Sequence, residues 1–330
     1  MTTLKGAMRS YGATIRRIER EQQRSAKLAA KIYKEQQKQK DLQNAAQAVQ
    51  NWSNYIDVLQ SVHKNTSEPI NWDEIKSLSR PIEPNMVDWR EKSAQFNLTN
   101  YRPSFWDKLF RSTPNKIRKL QMLLQDAKNA DHRESEFIKK QHAQELDDWL
   151  TLQDISKGIE VRNIDSYKNA LELFDPFSDI DELGNHLSFS FSKNYVDVDM
   201  HVNSEEIIPD HELKLTATGK LSQKNIPKSR FNELYQDHVC SSVLRIARET
   251  FSYLPVEYVR VNAIGMLLNS KTGHLEDKPI LSVIITKTTV NLLNLDTIDP
   301  SDSMNNFVHN MNFSKANGFG GVDKVEFIKN

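Results

Sequence analysis

The first sixty residues carry a pattern of apolar positions that is typical of one long helix. Between Thr14 and Val62 the chain has neither Pro nor Gly, and residues that favour helix predominate. Apolar residues recur in alternating steps of four and three, in two frames: Leu4, Met8, Tyr11, Ile15 and Ile18, then Leu42, Ala45, Val49, Trp52, Ile56 and Leu59. The spacing predicts a helical arm over residues 1–62, either amphipathic or a coiled coil with a break in its repeat.

The next two segments differ in their Pro content and in their periodicity. Residues 63–114 contain five prolines, each of which disfavours helix at the preceding residue, yet they also contain seven aromatic rings. We interpret this segment as a Pro- and Trp-rich connector packed on the body, with a protein-binding surface as the alternative. Residues 115–175 return to helical spacing and predict a helical region.

After Pro176 the pattern changes to an alternation of period two, which is typical of strands with one buried face. Residues 187–192 and 196–202 alternate in this way and predict a hairpin. A third short strand is predicted at residues 213–216. Helical spacing then predicts a long helix over residues 229–254.

The remaining sequence predicts two more strands, a helix and a last strand. The strands cover residues 256–268 and 279–290, the helix covers residues 300–312, and the last strand covers residues 322–328. Residues 176–330 therefore predict a mixed sheet with packed helices. The fold class predicted for the whole chain is α+β, with a long basic N-terminal helix and a helical middle.

Five short segments stand out in the C-terminal region: YQDHVCSSVLRIAR at residues 235–248, Leu254-Pro255, Thr272-Gly273-His274, ILSV at residues 280–283 and IDPSD at residues 298–302. Together they resemble a family of bacterial proteins without a known activity. The resemblance extends over the body and the basic helix. It implies a bacterial, cytoplasmic origin, and it brings no activity and no catalytic residue.

Composition and charge narrow the class of protein. A single Cys excludes a disulfide framework and a zinc site made of cysteines, and no apolar run approaches the roughly 18 residues of a membrane helix. We therefore expect a cytoplasmic protein without a membrane span. The 44 basic and 44 acidic residues balance, but the first fifty residues carry a net charge of +7, which leaves −7 for the rest.

The basic arm is the predicted partner-binding region. Its candidate contact residues are Arg9, Arg16, Arg17, Arg20, Arg24, Lys27, Lys31 and Lys34. Such a stretch suits an acidic protein face or nucleic acid, and a coiled coil would suit a second copy of the chain. No ladder of aromatic residues accompanies the basic residues, so readout of a nucleic-acid sequence is not indicated.

One set of residues suggests catalysis. Asp199, followed by Glu212 and Lys214 two residues apart, resembles the PD-(D/E)xK nucleases, with Asp197 as an equal choice for the first acid. The resemblance implies that Asp199 and Glu212 hold Mg²⁺ or Mn²⁺ and that Lys214 positions the attacking water. The simpler explanation is a solvated polar face on an amphipathic strand.

The function that we predict from these features is a non-catalytic interaction or assembly protein of a bacterial multi-protein system. The basic arm would bind an acidic partner, and no cofactor is expected. A metal-dependent nuclease, with Mg²⁺ or Mn²⁺, is the first alternative. Binding of nucleic acid without chemistry is the second.

Overall fold

The fold is α+β, as the sequence predicts, and it divides into two compact units. The computed structural model describes Lys31 and residues 45–178, 180, 185–202, 207–217 and 220–327. Within that part of the chain, the helical unit comprises residues 74–154, and the sheet unit comprises residues 45–73 and 155–327. The predicted arm lies outside the described residues, apart from Lys31 and the helix that begins at Ala45.

Helices make up the helical unit and flank the strands of the sheet unit. In chain order they are α1 (Ala45–Ser61), α2 (Trp72–Lys76), α3 (Trp89–Thr99), α4 (Phe105–Leu109), α5 (Thr113–Glu160), α6 (Ile164–Phe174), α7 (Lys228–Tyr253), α8 (Lys287–Leu292) and α9 (Pro300–Ser303). Short 3-10 helices follow α1 at Val62–Lys64 and α9 at Met304–Asn306. No described helix has both the length and the apolar character needed to cross a bilayer.

Helix α5 dominates the helical unit. It has 48 residues, which corresponds to about 70 Å at 1.5 Å per residue. The connector lies along it and is attached mainly by polar contacts. These are Val87 N–H to Ser135 Oγ (3.1 Å), Arg90 Nη1 to Asp131 (2.9 Å), Glu91 N–H to Asp131 (2.8 Å), Trp149 Nε1–H to the Leu78 carbonyl (3.0 Å) and Gln153 Nε2–H to the Ile75 carbonyl (2.8 Å).

The strands of the sheet unit form a six-stranded mixed sheet and a separate two-stranded sheet. They are β1 (Asn185–Phe191), β2 (Tyr195–Val202), β3 (His211–Leu215), β4 (Leu221–Asn225), β5 (Tyr258–Leu268), β6 (Leu275–Thr286), β7 (Val308–Ser314) and β8 (Gly318–Gly320). The large sheet has the order β1-β2-β5-β6-β7-β8, and β3 pairs with β4 alone. Strands β1 and β2 form the predicted hairpin, and β2 runs parallel to β5.

The core of the sheet unit lies between the large sheet and α7. Val196, Val198 and Met200 of β2 are fully buried and alternate with partly exposed residues, as the period-two pattern predicts. Helix α7 packs against β5 and against α1. Leu59 of α1 and Leu234 of α7 belong to one buried cluster, which closes the second face of α7.

Gly158 shows why the last turn of α5 needs a small residue. A Cβ atom at this position would lie 1.8 Å from Ser166 Oγ, so α6 can approach α5 only because the side chain is absent. The helix continues for two residues beyond Gly158 and ends at Glu160.

Three predicted elements in the C-terminal region are wrong in part. The strand predicted to Val290 ends at Thr286, where the side chain of Thr286 caps α8. The helix predicted over residues 300–312 stops at Ser303. Residues Val308–Ser314 form a strand instead, because the edge of β6 offers backbone groups with which this strand can pair. The strand predicted at residues 322–328 is absent from its described residues, 322–327.

Candidate functional site

The structure does not bring the three predicted nuclease residues together on one sheet. Asp199 lies on β2 of the six-stranded sheet, whereas Glu212 and Lys214 lie on β3 of the two-stranded sheet. Glu212 and Lys214 form an ion pair of 2.8 Å, which agrees with their predicted position on one face of a strand. Among the described residues there is no group of three His, Cys, Asp or Glu side chains able to hold a metal ion.

Asp199 instead belongs to a polar network on the face of the large sheet opposite the buried side chains of Val196, Val198 and Met200. Asn262 Nδ2 donates hydrogen bonds to Asp197 (2.9 Å) and Asp199 (2.8 Å), and Ser282 Oγ donates to Asn262 Oδ1 (2.7 Å). Arg260 binds Asp197 through two nitrogens, and this contact raises the pKa of the guanidinium. The carboxylates of β2 are therefore neutralised and held by the neighbouring strands.

Residues 322–327 cover this network. Lys324 Nζ donates to both oxygens of Asp199 (2.7 and 2.9 Å), and the Val325 N–H donates to Ser282 Oγ (2.9 Å). Arg260 Nη1 donates to the Val325 carbonyl (2.9 Å), and its guanidinium lies 4.2 Å from the centre of the Phe327 ring. These polar groups therefore have partners within the chain, and their contacts attach residues 322–327 to strands β2, β5 and β6.

Polar side chains on α7 also contact the end of α1 and the 3-10 helix that follows it. His63 is buried, with Nδ1 at 2.8 Å from Ser241 Oγ and Nε2 at 3.0 Å from the Leu295 carbonyl. His238 is fully buried with Nδ1 at 3.3 Å from the Leu59 carbonyl, and burial lowers its pKa to about 4. Burial raises the pKa of the neighbouring Cys240 thiol, so the reactive thiolate is disfavoured.

The candidate contact residues of the arm fall almost entirely outside the described residues. Of the eight, the structure describes Lys31, which is helical and exposed. The others are Arg9, Arg16, Arg17, Arg20, Arg24, Lys27 and Lys34. Their role in binding a partner stays a prediction from the sequence.

The feature that the sequence analysis missed is a short helix in the helical unit with its apolar side outward. Phe105, Trp106, Leu109 and Phe110 are 74%, 62%, 58% and 71% exposed, respectively. We call these four residues the aromatic turn. The Trp106 and Phe110 rings stack on each other at 5.9 Å with an angle of 14° between their planes. In the sequence, this spacing is indistinguishable from that of a helix with a buried apolar stripe.

Asp107 fixes the orientation of the aromatic turn. Although it is charged, it is only 5% exposed, and it accepts hydrogen bonds from the Ser104 N–H, the Tyr101 hydroxyl and the Ser112 hydroxyl, each at 3.1 Å. It also forms an ion pair with Lys116, and this contact is the main reason that its pKa lies below the ordinary value. Because the carboxylate occupies the inner side of α4, the apolar residues face outward.

Basic residues surround the aromatic turn. Asp107 is the only acidic residue between Arg102 and Lys119, and it is already paired. The basic side chains of this stretch that are described as exposed are Arg102, Arg111, Lys116, Arg118 and Lys119. The surface therefore combines exposed apolar groups with a positive charge.

The rest of the helical unit also exposes apolar side chains. Among its described residues, only Ile75 and Pro81 have apolar side chains that are buried. The exposed ones outside the aromatic turn are Ile82, Met86, Trp89, Phe96, Ile117, Met122, Leu123, Phe137 and Leu150. The larger sheet unit exposes fewer such residues, although it contains almost all of the buried core.

Comparisons with known proteins add no family to this description. No family model matches the sequence, and no curated protein and no solved structure matches it either.

Proposed function

We propose that the protein is a non-catalytic interaction or assembly protein that binds an acidic partner. The observation that carries this proposal is the surface of the helical unit, where large apolar side chains and unpaired basic charge are exposed together around the aromatic turn. Contiguous exposed apolar groups of this kind mark contact surfaces, because a soluble surface without a partner gains nothing from them.

The distribution of charge supports an acidic partner. The first fifty residues carry +7, and the stretch from Arg102 to Lys119 is also basic. Two separate basic regions attract the same class of partner, and they increase the rate at which it is captured. In this proposal the arm provides the long-range attraction, and the helical unit provides an apolar contact.

A comparison of two charge variants tests the role of the arm. The arm variant replaces Arg16, Arg17, Arg20 and Arg24 with Gln. The control variant replaces four exposed lysines of the sheet unit with Gln: Lys168, Lys220, Lys224 and Lys271. The net charge changes equally in both, so a difference between them reports the position of the charge.

Partners are captured on the full chain from a bacterial lysate, identified, and then purified and measured directly for affinity. We expect the arm variant to weaken the affinity of an acidic partner by at least about tenfold and the control variant by less than about twofold. If no acidic partner distinguishes the two variants, the proposed function is wrong.

The nuclease hypothesis stays a prediction with a direct test of its own. Full-length protein is incubated with DNA and RNA in the presence of Mg²⁺ or Mn²⁺, beside the Lys214→Ala variant. Cleavage that depends on Lys214 would support the nuclease, and the location of this residue on a different sheet from Asp199 leads us to expect none. Binding of nucleic acid without cleavage would appear as an affinity that falls steeply with salt.

A further inference from the structure

We propose that the aromatic turn is an interfacial anchor that inserts its four apolar side chains into the surface of an anionic lipid membrane. This inference rests on the proposed function, because it names the acidic partner that the helical unit contacts. It concerns a helix that lies at a membrane surface and does not span it, in keeping with its five residues.

The geometry of α4 presents the four apolar side chains to one side. At 100° per residue, positions 105, 106, 109 and 110 cover an arc of roughly 140°, while Asp107 falls outside that arc. Asp107 is held from within by Tyr101, Ser112 and Lys116, so the arc stays outward. A wedge of two Phe, one Trp and one Leu is the composition of surface anchors, since Trp favours the level of the lipid headgroups.

The surrounding charge selects the kind of membrane. Arg102, Arg111, Arg118 and Lys119 are exposed in the same stretch of chain, and no unpaired acid balances them. Anionic headgroups attract Lys and Arg side chains near the surface, and their apolar stems lie along the acyl boundary. A neutral membrane can accept the four apolar side chains but does not attract the basic residues around them. We therefore expect the protein to bind anionic membranes more tightly than neutral ones.

Other occupants fit the aromatic turn less well. The N-terminal arm and a second copy of the turn are both basic, so each would bring like charges together. Nucleic acid matches the charge, but Leu109 has no ring on which a base can stack. The stacked pair of Trp106 and Phe110 also leaves each ring with one face already covered.

Flotation of the full chain with lipid vesicles tests the proposal. The vesicles are made of phosphatidylcholine alone or of phosphatidylcholine with phosphatidylglycerol. We expect binding to the anionic vesicles to be at least about tenfold tighter. The double variant Phe105→Ser, Phe110→Ser should weaken that binding by at least about tenfold, because it removes two rings that would enter the membrane.

Two controls separate insertion from simple charge attraction. Leu292→Ser changes an apolar residue of the sheet unit that is more exposed than any residue of the aromatic turn, and it should leave vesicle binding unchanged. Trp106→Phe keeps the wedge apolar, so binding should persist, but the quenching of Trp fluorescence by brominated lipid should fall strongly. Circular dichroism shows whether each variant keeps the helical content of the full chain.

The outcomes distinguish this inference from the proposed function. Vesicle binding that survives the double Phe variant and disappears in the arm variant would overturn the anchor and leave the acidic-partner proposal intact. Absence of vesicle binding would also overturn the anchor. If single-stranded DNA binds in its place and the double Phe variant abolishes that binding, the turn is a nucleic-acid contact and the lipid assignment is wrong.

Discussion

The helical unit and the sheet unit treat charged and apolar side chains in opposite ways. In the sheet unit, Leu244 and Val198 are fully buried, and the charges on the polar face of the large sheet are paired with one another. In the helical unit, Asp107 is inside and the aromatic turn is outside. The comparison teaches that one chain can build a well-packed core in one unit and leave large apolar side chains exposed in the other.

The largest expected difference between the units concerns the loss of a leucine side chain. Leu244→Ala removes a fully buried side chain of α7 and should lower the free energy of unfolding by about 2–5 kcal/mol. Leu109→Ala in the aromatic turn should change it by less than about 0.5 kcal/mol. Urea unfolding followed by circular dichroism measures both, and equal effects would break the comparison.

The second prediction concerns acid stability. Burial lowers the pKa of His238 to about 4. As the pH falls below 6.5, this histidine therefore becomes protonated in the unfolded chain while it stays neutral in the folded chain. The free energy of unfolding should fall by up to about 3 kcal/mol as the pH drops from 6.5 to 4. His63 acts in the same direction, because burial lowers its pKa as well.

His238→Gln should flatten this dependence between pH 6.5 and pH 4, because it removes the group that the unfolded chain protonates. The matched control is His132→Gln on the exposed side of α5, which should leave the slope as it is. A slope that His238→Gln does not change would show that burial of this histidine does not control acid unfolding.

The third prediction concerns the paired charges of the sheet face. Arg260→Met leaves Asp197, which is largely buried, without its main partner, and it should cost about 1–3 kcal/mol. Lys139→Met breaks an exposed pair on α5 with Glu136 and should cost less than about 0.5 kcal/mol. Urea midpoints of the two variants provide the measurement, and the reverse order would contradict the role assigned to the face.

The smallest expected effect concerns Lys324. Lys324→Met removes the amine from a pair with Asp199 that is partly exposed, so the free energy of unfolding should fall by about 0.5–1 kcal/mol. Hydrogen exchange should report more, because the Val325 amide should lose protection while the amides of β5 keep theirs. Lys168→Met, which breaks an exposed pair with Asp165, should change neither reading.

Periodicity predicts the sheet unit well where burial imposes the pattern. The hairpin of β1 and β2 and the long helix α7 follow from their alternating and helical apolar positions. The errors fall where the pattern is weak. Val308–Ser314 has few apolar residues, and its strand depends on the open edge of β6, which no local sequence signal reveals.

The candidate surfaces could be predicted only in part. Glu212 and Lys214 lie on one face of a strand, as their spacing implies. That strand, β3, pairs only with β4 and so does not join the sheet that contains Asp199. The pairing partner of a strand cannot be predicted from its local sequence. The composition of residues 63–114 reveals the rings of the aromatic turn. Their outward direction depends on the burial of Asp107 and on its ion pair with Lys116, and neither of these can be predicted from periodicity.

The cover that residues 322–327 place over the sheet also has a consequence for biosynthesis. Lys324 emerges from the ribosome 125 residues after Asp199, the carboxylate that it neutralises. Until then, the Asp199 carboxylate of β2 lacks its amine partner, and the polar face of β2 and β5 is open to chaperones. A transcript truncated before Lys324 would therefore yield a sheet whose exposed face quality control can recognise, although all the strands had been translated.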